Sequence, residues 1–193
     1  NENPDVVYDD DALRILRTVR FHCRFGWKIE QKTYKSMKKY VDRLEIISKE
    51  RIRDEFNKIL LSDNASMGIR TLCNIGAMKY IIPEVDEMIG MEQNAFHFGD
   101  VFEHTMALID YDTKHFQSDD VAVRLALLLH DIGKIKTKTV GDDGRVHFYD
   151  HEFVGSEMVV DILKRLKYDN KTIDTVQFLV KNHMRTKNFG NDC

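Results

Sequence analysis

The sequence predicts an all-α fold, built as a multi-helix bundle in two lobes. Three observations support this. The 193 residues include only 2 prolines and 10 glycines, apolar residues recur at spacings of three and four along most of the chain, and the periodicity fails over one long stretch, 84–99. Glycines and an asparagine in that stretch indicate a loop that wraps something. The expected domains are therefore residues 1–82 and 83–193.

Several helices are predicted in the first lobe. The first begins at Asp9-Asp10-Asp11, because carboxylates favour a helix N-terminus, and it ends at Gly26. The helix after Ser48 has that side chain as its cap. Gly76 ends the helix predicted over 65–75, and Pro83 ends the one predicted over 77–82. The later helices of this lobe are predicted over 33–44, 49–60, 65–75 and 77–82.

The second lobe is predicted to contain helices and one hairpin. A helix runs over 100–111, and a second, strongly apolar helix ends at His130-Asp131. Polar and apolar residues alternate over 136–148 around Gly141-Asp142-Asp143-Gly144, which is typical of a small hairpin or an extended flap. The last two helices are predicted over 149–166 and 171–184.

Composition and charge limit the possible functions. The formal net charge is -3, so no global basic field draws the chain to nucleic acid. Residues 81–113 contain eight acidic side chains and no lysine or arginine, whereas 14–58 is dense in both lysine and arginine. The acidic region suits a cation, and the second region suits a phosphate backbone.

Cysteine usage and hydropathy indicate a cytoplasmic protein without a membrane partner. The three cysteines are widely spaced and form no CxxC, which favours a reduced protein and excludes a thiolate zinc cluster. No signal peptide or membrane-length apolar run is present. Because the chain opens at Asn1 without a methionine, we expect it to be a fragment.

The segment Leu128–Lys134 carries the strongest chemical signal. An apolar helix runs into His130 and Asp131, and burying both costs several kcal/mol unless each is paired or bound to a cation. Gly133 is predicted to stop the helix in the left-handed conformation, with Lys134 as a mobile positive charge beyond it. This pattern indicates a metal site that handles phosphate. The alternative is a satisfied His-Asp hydrogen bond at a helix end.

Four of the eight histidines call for a joint explanation. Each lies near the end of a separate predicted helix, where a bundle can direct side chains into one pocket; they are His104, His130, His151 and His183. Together with Asp131 they suit a divalent Mn, Fe, Ni, Co or Zn ion, or Mg where carboxylate and water dominate. An incomplete ligand set leaves positions for water and substrate. The others, His22, His97, His115 and His147, are interpreted as ordinary hydrogen-bonded residues.

A stripe of arginines follows one side of the first helix. Arg14, Arg17, Arg20 and Arg24 fall within roughly a third of its circumference, given about 3.6 residues per turn. Contact with RNA phosphates is one interpretation, and a solvated face is the other.

Three motifs in the second half resemble the HD-domain metal phosphohydrolases. They are Val101-Phe102-Glu103-His104-Thr105, the segment Leu128–Lys134 and His147–Glu152. The resemblance implies catalytic roles for His130, Asp131 and Lys134, with the lysine stabilising phosphate charge. It implies as metal ligands His104, His130, Asp131, His151 and His183. The substrate would be a phosphoester such as a 2′,3′-cyclic phosphate or a small phosphomonoester.

The first half resembles the class II bacterial tRNA nucleotidyltransferases (CCA-adding enzymes) and poly(A) polymerases. Residues 10–21 look like that family's E-D-x-L-R-x-L-R-x-x-R-F helix, and Ile47–Glu55 is similar to its neck segment. The resemblance implies that Asp11 and Arg14 pair with the base edges of CTP and ATP, as a rigid acceptor and forked donor can. The alternative for this pair is an N-cap acid with an i,i+3 ion pair.

Together the resemblances predict a helical neck and body followed by an HD-type metal-binding domain. RNA, such as a tRNA 3′ end, would contact Arg17, Arg20 and Arg24. The paired carboxylates of the family's catalytic head have no counterpart here, so nucleotidyl transfer is not expected from this chain alone. The alternatives are a free-standing HD phosphohydrolase acting on nucleotides, and a non-catalytic RNA-binding scaffold with a vestigial HD site.

Overall fold

The computed structural model describes residues 3–93, 99–142 and 144–188 and confirms the all-α prediction. Its α-helices are α1 (Pro4–Asp10), α2 (Leu13–Phe25), α3 (Gln31–Tyr40), α4 (Lys49–Leu60), α5 (Ala65–Ile75), α6 (Pro83–Asp86), α7 (Val101–His115), α8 (Val121–Leu129), α9 (Lys134–Thr137), α10 (His151–Arg165) and α11 (Asn170–Asn182). Short 3-10 helices follow α3, α5 and α11, at Val41–Ile46, Met78–Tyr80 and His183–Asn188. The predicted hairpin is present as β1 (Lys138–Val140) paired antiparallel with β2 (Val146–Phe148).

The prediction that Asp9-Asp10-Asp11 opens the helix ending at Gly26 was wrong. Asp9 and Asp10 lie in the last turn of α1, a separate helix that is capped by the side chain of Asn3. Asp11 Oδ1 accepts a hydrogen bond from Leu13 N at 3.1 Å. Only the third aspartate of the run therefore hydrogen-bonds to the start of the helix that follows, whose N-cap residue is Ala12.

The first lobe is organised around α2. Its buried face, which includes Ile15, Leu16 and Val19, packs against α4 and α5. The short α1 lies against α3, where Asp5 accepts hydrogen bonds from Ser36 Oγ and from Lys39 Nζ. Apolar burial provides most of the stability of such an arrangement, and the polar contacts set the position of α1.

The second lobe is a cluster of α7, α8, α10 and α11. The last two pack side by side, α8 packs against α11, and α7 lies between α8 and α5 of the first lobe. One end of each of these four helices lies at the candidate site described below.

One continuous core extends through both lobes. Phe56 and Ile59 of α4 belong to the same buried apolar cluster as Leu125 of α8 and Val159 of α10. Because the core is continuous, the division of the chain into domains 1–82 and 83–193 stays a prediction. Within the described ranges, every helix is too short or too polar to cross a bilayer.

Candidate metal centre

Helix ends bring the predicted ligand side chains together around the carboxylate of Asp131. His130 and Asp131 directly follow α8, His151 begins α10, His183 directly follows α11 and His104 lies in the first turn of α7. On one side of the carboxylate, Oδ2 lies 3.1 Å from His130 Nε2 and 4.0 Å from His104 Nε2. On the other side, Oδ1 lies 3.3 Å from His151 Nε2 and 3.7 Å from His183 Nε2. All five residues predicted as ligands meet in one cluster.

Backbone carbonyls fix the orientation of three of the imidazoles. The Nδ1 atoms of His130, His151 and His183 lie 2.9, 2.9 and 2.6 Å from the carbonyl oxygens of Leu127, Phe148 and Val180. A carbonyl oxygen only accepts, so each Nδ1 must carry the proton. Nε2 is then the ring atom that faces Asp131, as is typical of metal-binding histidines. It donates a hydrogen bond to the carboxylate when it carries a proton, and it offers its lone pair to a cation when it does not.

The Asp131 carboxylate is ionised although it is buried, with only 3% of the residue exposed. Burial by itself would raise its pKa, but hydrogen bonds with His130, His151 and His183 together lower the pKa well below the usual range of an aspartate. The charged form of Asp131, which is the form that binds a cation, is therefore favoured although the group is buried.

The donor set fits a divalent cation. His151 Nε2 and His183 Nε2 lie 3.3 Å apart, and two lone pairs at that distance repel unless a proton or a cation lies between them. Two groups, each with its ligand atoms within 4.8 Å of one another, share Asp131: one with His104 and His130, the other with His151 and His183. Imidazole and carboxylate together suit Zn, Mn, Fe, Ni or Co, and Mg less closely.

Lys134 is not the mobile charge that the sequence indicated. It is 5% exposed, and its Nζ donates hydrogen bonds to Asp131 Oδ2 and to Gln93 Oε1, both at 2.7 Å. The ammonium group thus compensates part of the buried negative charge. It also leaves Oδ2 with less capacity to bind a cation than Oδ1.

The prediction for Gly133 was also wrong. Its φ is -63°, in the right-handed region. A Cβ at this position would lie 2.0 Å from the carbonyl oxygen of His151 and 2.6 Å from Gly155 N. Glycine is needed here because the backbone of α10 approaches this turn closely, and that approach carries His151 to Asp131.

A cavity of about 850 Å³ opens onto the cluster. One wall is apolar and includes Leu108, Val123 and Leu179. The hairpin and the residue after it form another wall with His147, Phe148 and Tyr149. The rings of His147 and Tyr149 stack at a centroid distance of 5.2 Å.

Sequence reasoning missed Gln93, His147 and Tyr149 at this site. Gln93 lies in the stretch without periodicity, and a polar side chain in a loop that wraps a site was the available signal. His147 was assigned an ordinary role, although it lies only four residues before a predicted ligand. His97 lies outside the described residues.

Asp11 and Arg14, the predicted nucleotide-binding residues, form ion pairs with other side chains and not with each other. Asp11 Oδ2 lies 3.0 Å from Arg51 Nη2, and Arg14 Nη2 lies 3.0 Å from Asp10 Oδ2. The i,i+3 ion pair offered as the alternative is therefore absent. Both groups are in a surface network of carboxylates and guanidinium groups at the start of α2.

The arginine stripe is divided between two surroundings. Arg17 Nε and Arg20 Nε lie 3.7 and 3.3 Å from the carboxylate of Glu55, which is 5% exposed. Arg24 is exposed, with its guanidinium 5.3 Å from the centre of the Phe25 ring. A role of Arg17, Arg20 and Arg24 in RNA binding stays a prediction.

Comparison with known families identifies the second half. Residues 94–190, half of the chain, match the family described as "HD domain". The chain belongs to the HD-domain family. Residues 26–89 of this HD protein match a second family, described as "Probable RNA and SrmB- binding site of polymerase A".

The relatives and solved structures that this chain resembles are tRNA nucleotidyltransferases and CCA-adding enzymes. The chain is 35% identical over 180 residues to the A-adding tRNA nucleotidyltransferase of Deinococcus radiodurans, covering 90% of this chain and 42% of the relative. It is 29% identical to the CC-adding tRNA nucleotidyltransferase of Thermus thermophilus, with the same coverage. A solved complex of a CCA-adding enzyme with CTP has the same fold, with a TM-score of 0.55 at 22% identity, over 96% of this chain and 38% of that one. The resemblance found in the sequence is confirmed, and the chain spans about two-fifths of the length of these relatives.

Proposed function

We propose that the HD site hydrolyses phosphoesters with the help of a divalent metal. The observation that supports this is the convergence of imidazole Nε2 atoms on the buried carboxylate of Asp131, next to the ammonium group of Lys134. His104, His130, Asp131, His151 and His183 would hold the metal. A bound divalent cation would supply Lewis acidity toward a phosphate oxygen and an attacking water.

The residues of the chain have definite tasks in this proposal. Asp131 holds the imidazoles in place and supplies negative charge for the cation. Lys134 has two ammonium protons engaged by Asp131 and Gln93, and the third can be directed to a phosphate oxygen, where it would stabilise developing negative charge. Attack of the water forms a new phosphorus–oxygen bond, and the leaving alcohol takes up the proton that this water gives up as the ester phosphorus–oxygen bond breaks.

The cavity indicates the size of the substrate. A volume of about 850 Å³ is in the upper part of the range for small-molecule sites. The apolar wall and the stacked rings of His147 and Tyr149 suit an organic group attached to the phosphate. A nucleotide, a 2′,3′-cyclic phosphate at an RNA end or a small phosphomonoester would fit these conditions.

We further propose that the chain is the neck, body and HD part of an enzyme that adds nucleotides to RNA 3′ ends. The relatives named above support this, as does the network of Asp11, Arg14 and Arg51 at the start of α2. In the intact protein, Asp11 and Arg14 would contact the base edges of CTP and ATP. Tests of CCA addition and of poly(A) synthesis with the intact protein would distinguish the two reactions.

Metal content and hydrolysis test the HD site. We expect protein purified without chelator to contain a transition metal, and His130→Ala with Asp131→Ala to abolish it, since these changes remove two central ligands. Release of phosphate from a 2′,3′-cyclic nucleotide and from a phosphomonoester should depend on added metal and stop in the double variant. The matched control is His115→Ala, which changes a histidine whose ring centre lies 4.3 Å from that of Tyr111 and which does not line the cavity.

Two results would contradict this proposal in different ways. Equal metal content in the wild type and the double variant would mean that the cluster is not the metal site. Metal that is bound without any hydrolysis would favour the vestigial scaffold over the enzyme.

A further inference from the structure

A column of exposed aromatic rings lies at the C-terminal end of α2, far along the sequence from the HD motifs. Phe21, Phe25 and Trp27 are 42%, 46% and 67% exposed. The Phe21 and Phe25 rings are stacked with an interplanar angle of 12° and centroids 6.0 Å apart, and the Phe25 and Trp27 rings are stacked at 22° and 4.5 Å. Exposed aromatic rings are unfavourable in water, so an ordered column of three requires an explanation.

The local backbone holds this column in place. Phe21 and Phe25 share one helix face because they are four residues apart. Gly26 ends the helix in the left-handed conformation, with φ of 65°, and so turns the chain back until the Trp27 ring lies on Phe25. His22 Nδ1 donates a hydrogen bond to the Trp27 carbonyl oxygen. The column is therefore preorganised, and little ordering would be needed on binding.

Positive charge surrounds the rings. The guanidinium of Arg20 lies 4.6 Å from the centre of the Phe21 ring, and that of Arg24 lies 5.3 Å from the centre of the Phe25 ring. Lys28 is exposed one residue after Trp27, and Glu30 is the acidic side chain nearest in sequence. Arg20 already lies beside the Glu55 carboxylate, but an apolar protein partner would have to bury Arg24 and Lys28 without compensation, whereas a nucleic acid brings a phosphate for each of them.

We propose that Phe21, Phe25 and Trp27 form a stacking platform for unpaired RNA bases. A base placed on the outer face of Trp27 would extend the column, and Arg20, Arg24 and Lys28 would contact the backbone that carries it. This inference rests on the proposed RNA-processing function and identifies the RNA feature that is recognised: single-stranded bases rather than duplex. Such recognition is tolerant of sequence, because every base has an aromatic face.

The chain contains one tryptophan, so its fluorescence reports on the platform directly. The 193-residue protein is titrated with a short unstructured RNA of alternating C and A, and in parallel with an abasic ribose-phosphate of the same length. We expect saturable quenching by the first and none by the second. Binding of end-labelled RNA, followed by anisotropy, should weaken about tenfold in Trp27→Ala and stay near the wild-type value in Trp27→Phe.

Salt dependence separates stacking from charge. Trp27→Ala should weaken binding equally at every salt concentration, whereas Arg24→Gln should reduce the salt slope by about 0.7. The matched control is Phe116→Ala, which removes a ring that is 71% exposed and is close in sequence to Asp119 and Asp120 rather than to arginines. It should leave affinity unchanged.

The outcomes separate this inference from the proposed function. Tight RNA binding that is the same in Trp27→Ala, with equal quenching by abasic and base-bearing RNA, would overturn the platform and leave the RNA-binding role intact. The rings would then serve a protein contact. Failure of the wild type to bind any RNA would overturn both.

Discussion

Gly133 is in close contact with the backbone of α10, in the turn that follows His130 and Asp131. A single added methyl group would overlap the carbonyl oxygen of His151. The side chain of His151 is one of the proposed ligands. The residue thus links a backbone contact to the geometry of the site. Backbone atoms in a packed helix cannot move aside as a flexible side chain can, so the contact leaves no room for a methyl group.

We expect Gly133→Ala to destabilise the protein by about 1–3 kcal/mol, the usual cost of overpacking. Because α10 must shift, metal affinity should fall about 10–100-fold. Urea unfolding and metal titration measure the two effects. The control is Gly144→Ala in the hairpin, where φ is 75° and an added Cβ meets nothing within 4 Å. It should cost about 1 kcal/mol from backbone strain and leave metal affinity unchanged. Normal metal affinity in Gly133→Ala would show that His151 tolerates the shift.

The helices α7 and α8 are held together by a buried arginine. Arg124 is 2% exposed, and its Nε lies 3.1 Å from Asp112 Oδ2 and donates to the Ser118 carbonyl oxygen at 3.1 Å. Its Nη1 donates to Thr113 Oγ1 at 2.6 Å. These contacts fix the position of α7, and therefore that of His104, relative to the end of α8.

We expect Arg124→Leu to destabilise the protein by about 3–5 kcal/mol, because Asp112 would remain buried without its charged partner. Urea unfolding measures the loss. The double variant Arg124→Leu with Asp112→Leu removes both charges and should recover a large part of the stability. Equal stability of the single and double variants would mean that shape, rather than charge, holds these two helices together.

Two groups of proposed functional side chains share a single core in this protein. The buried apolar cluster is continuous from α2 to α11, whereas the proposed HD ligands lie at one set of helix ends and the Asp11 network lies at the start of α2. No residue of the described part is common to the two groups of side chains. The sites can therefore depend on one another for folding and still act separately.

In the intact protein, we expect Arg14→Ala to lower CTP-over-UTP selectivity by about one to two powers of ten, because a forked donor to the base is lost. Phosphate release at the HD site should be unchanged. Asp131→Ala should show the reverse pattern. Both activities are measured in both variants, and circular dichroism checks the fold. If Asp131→Ala loses nucleotide selectivity while it remains folded, the two sites act as one.

Much of the fold and of the candidate site could be predicted from the sequence. Periodicity identified the major helices, because the apolar face of a helix is determined by neighbours three and four residues apart. The five proposed ligands were named because four histidines and an aspartate lie near the ends of separate predicted helices, and because the segments that carry them resemble the HD-domain phosphohydrolases. The helix start predicted at Asp9 and Asp10 was wrong, since an acidic pair is equally able to end one helix or to precede the next.

The remaining features depend on residues that are distant in sequence. Lys134 is buried because Gln93 and Asp131 surround it, and Gly133 needs no side chain because α10, about twenty residues later, passes over it. The aromatic column exists because a left-handed glycine turns Trp27 back onto Phe25. Local sequence determines which residues form helices and which carry chemistry. Packing of distant segments decides which side chains meet, because burial and close contact arise only when the chain is folded.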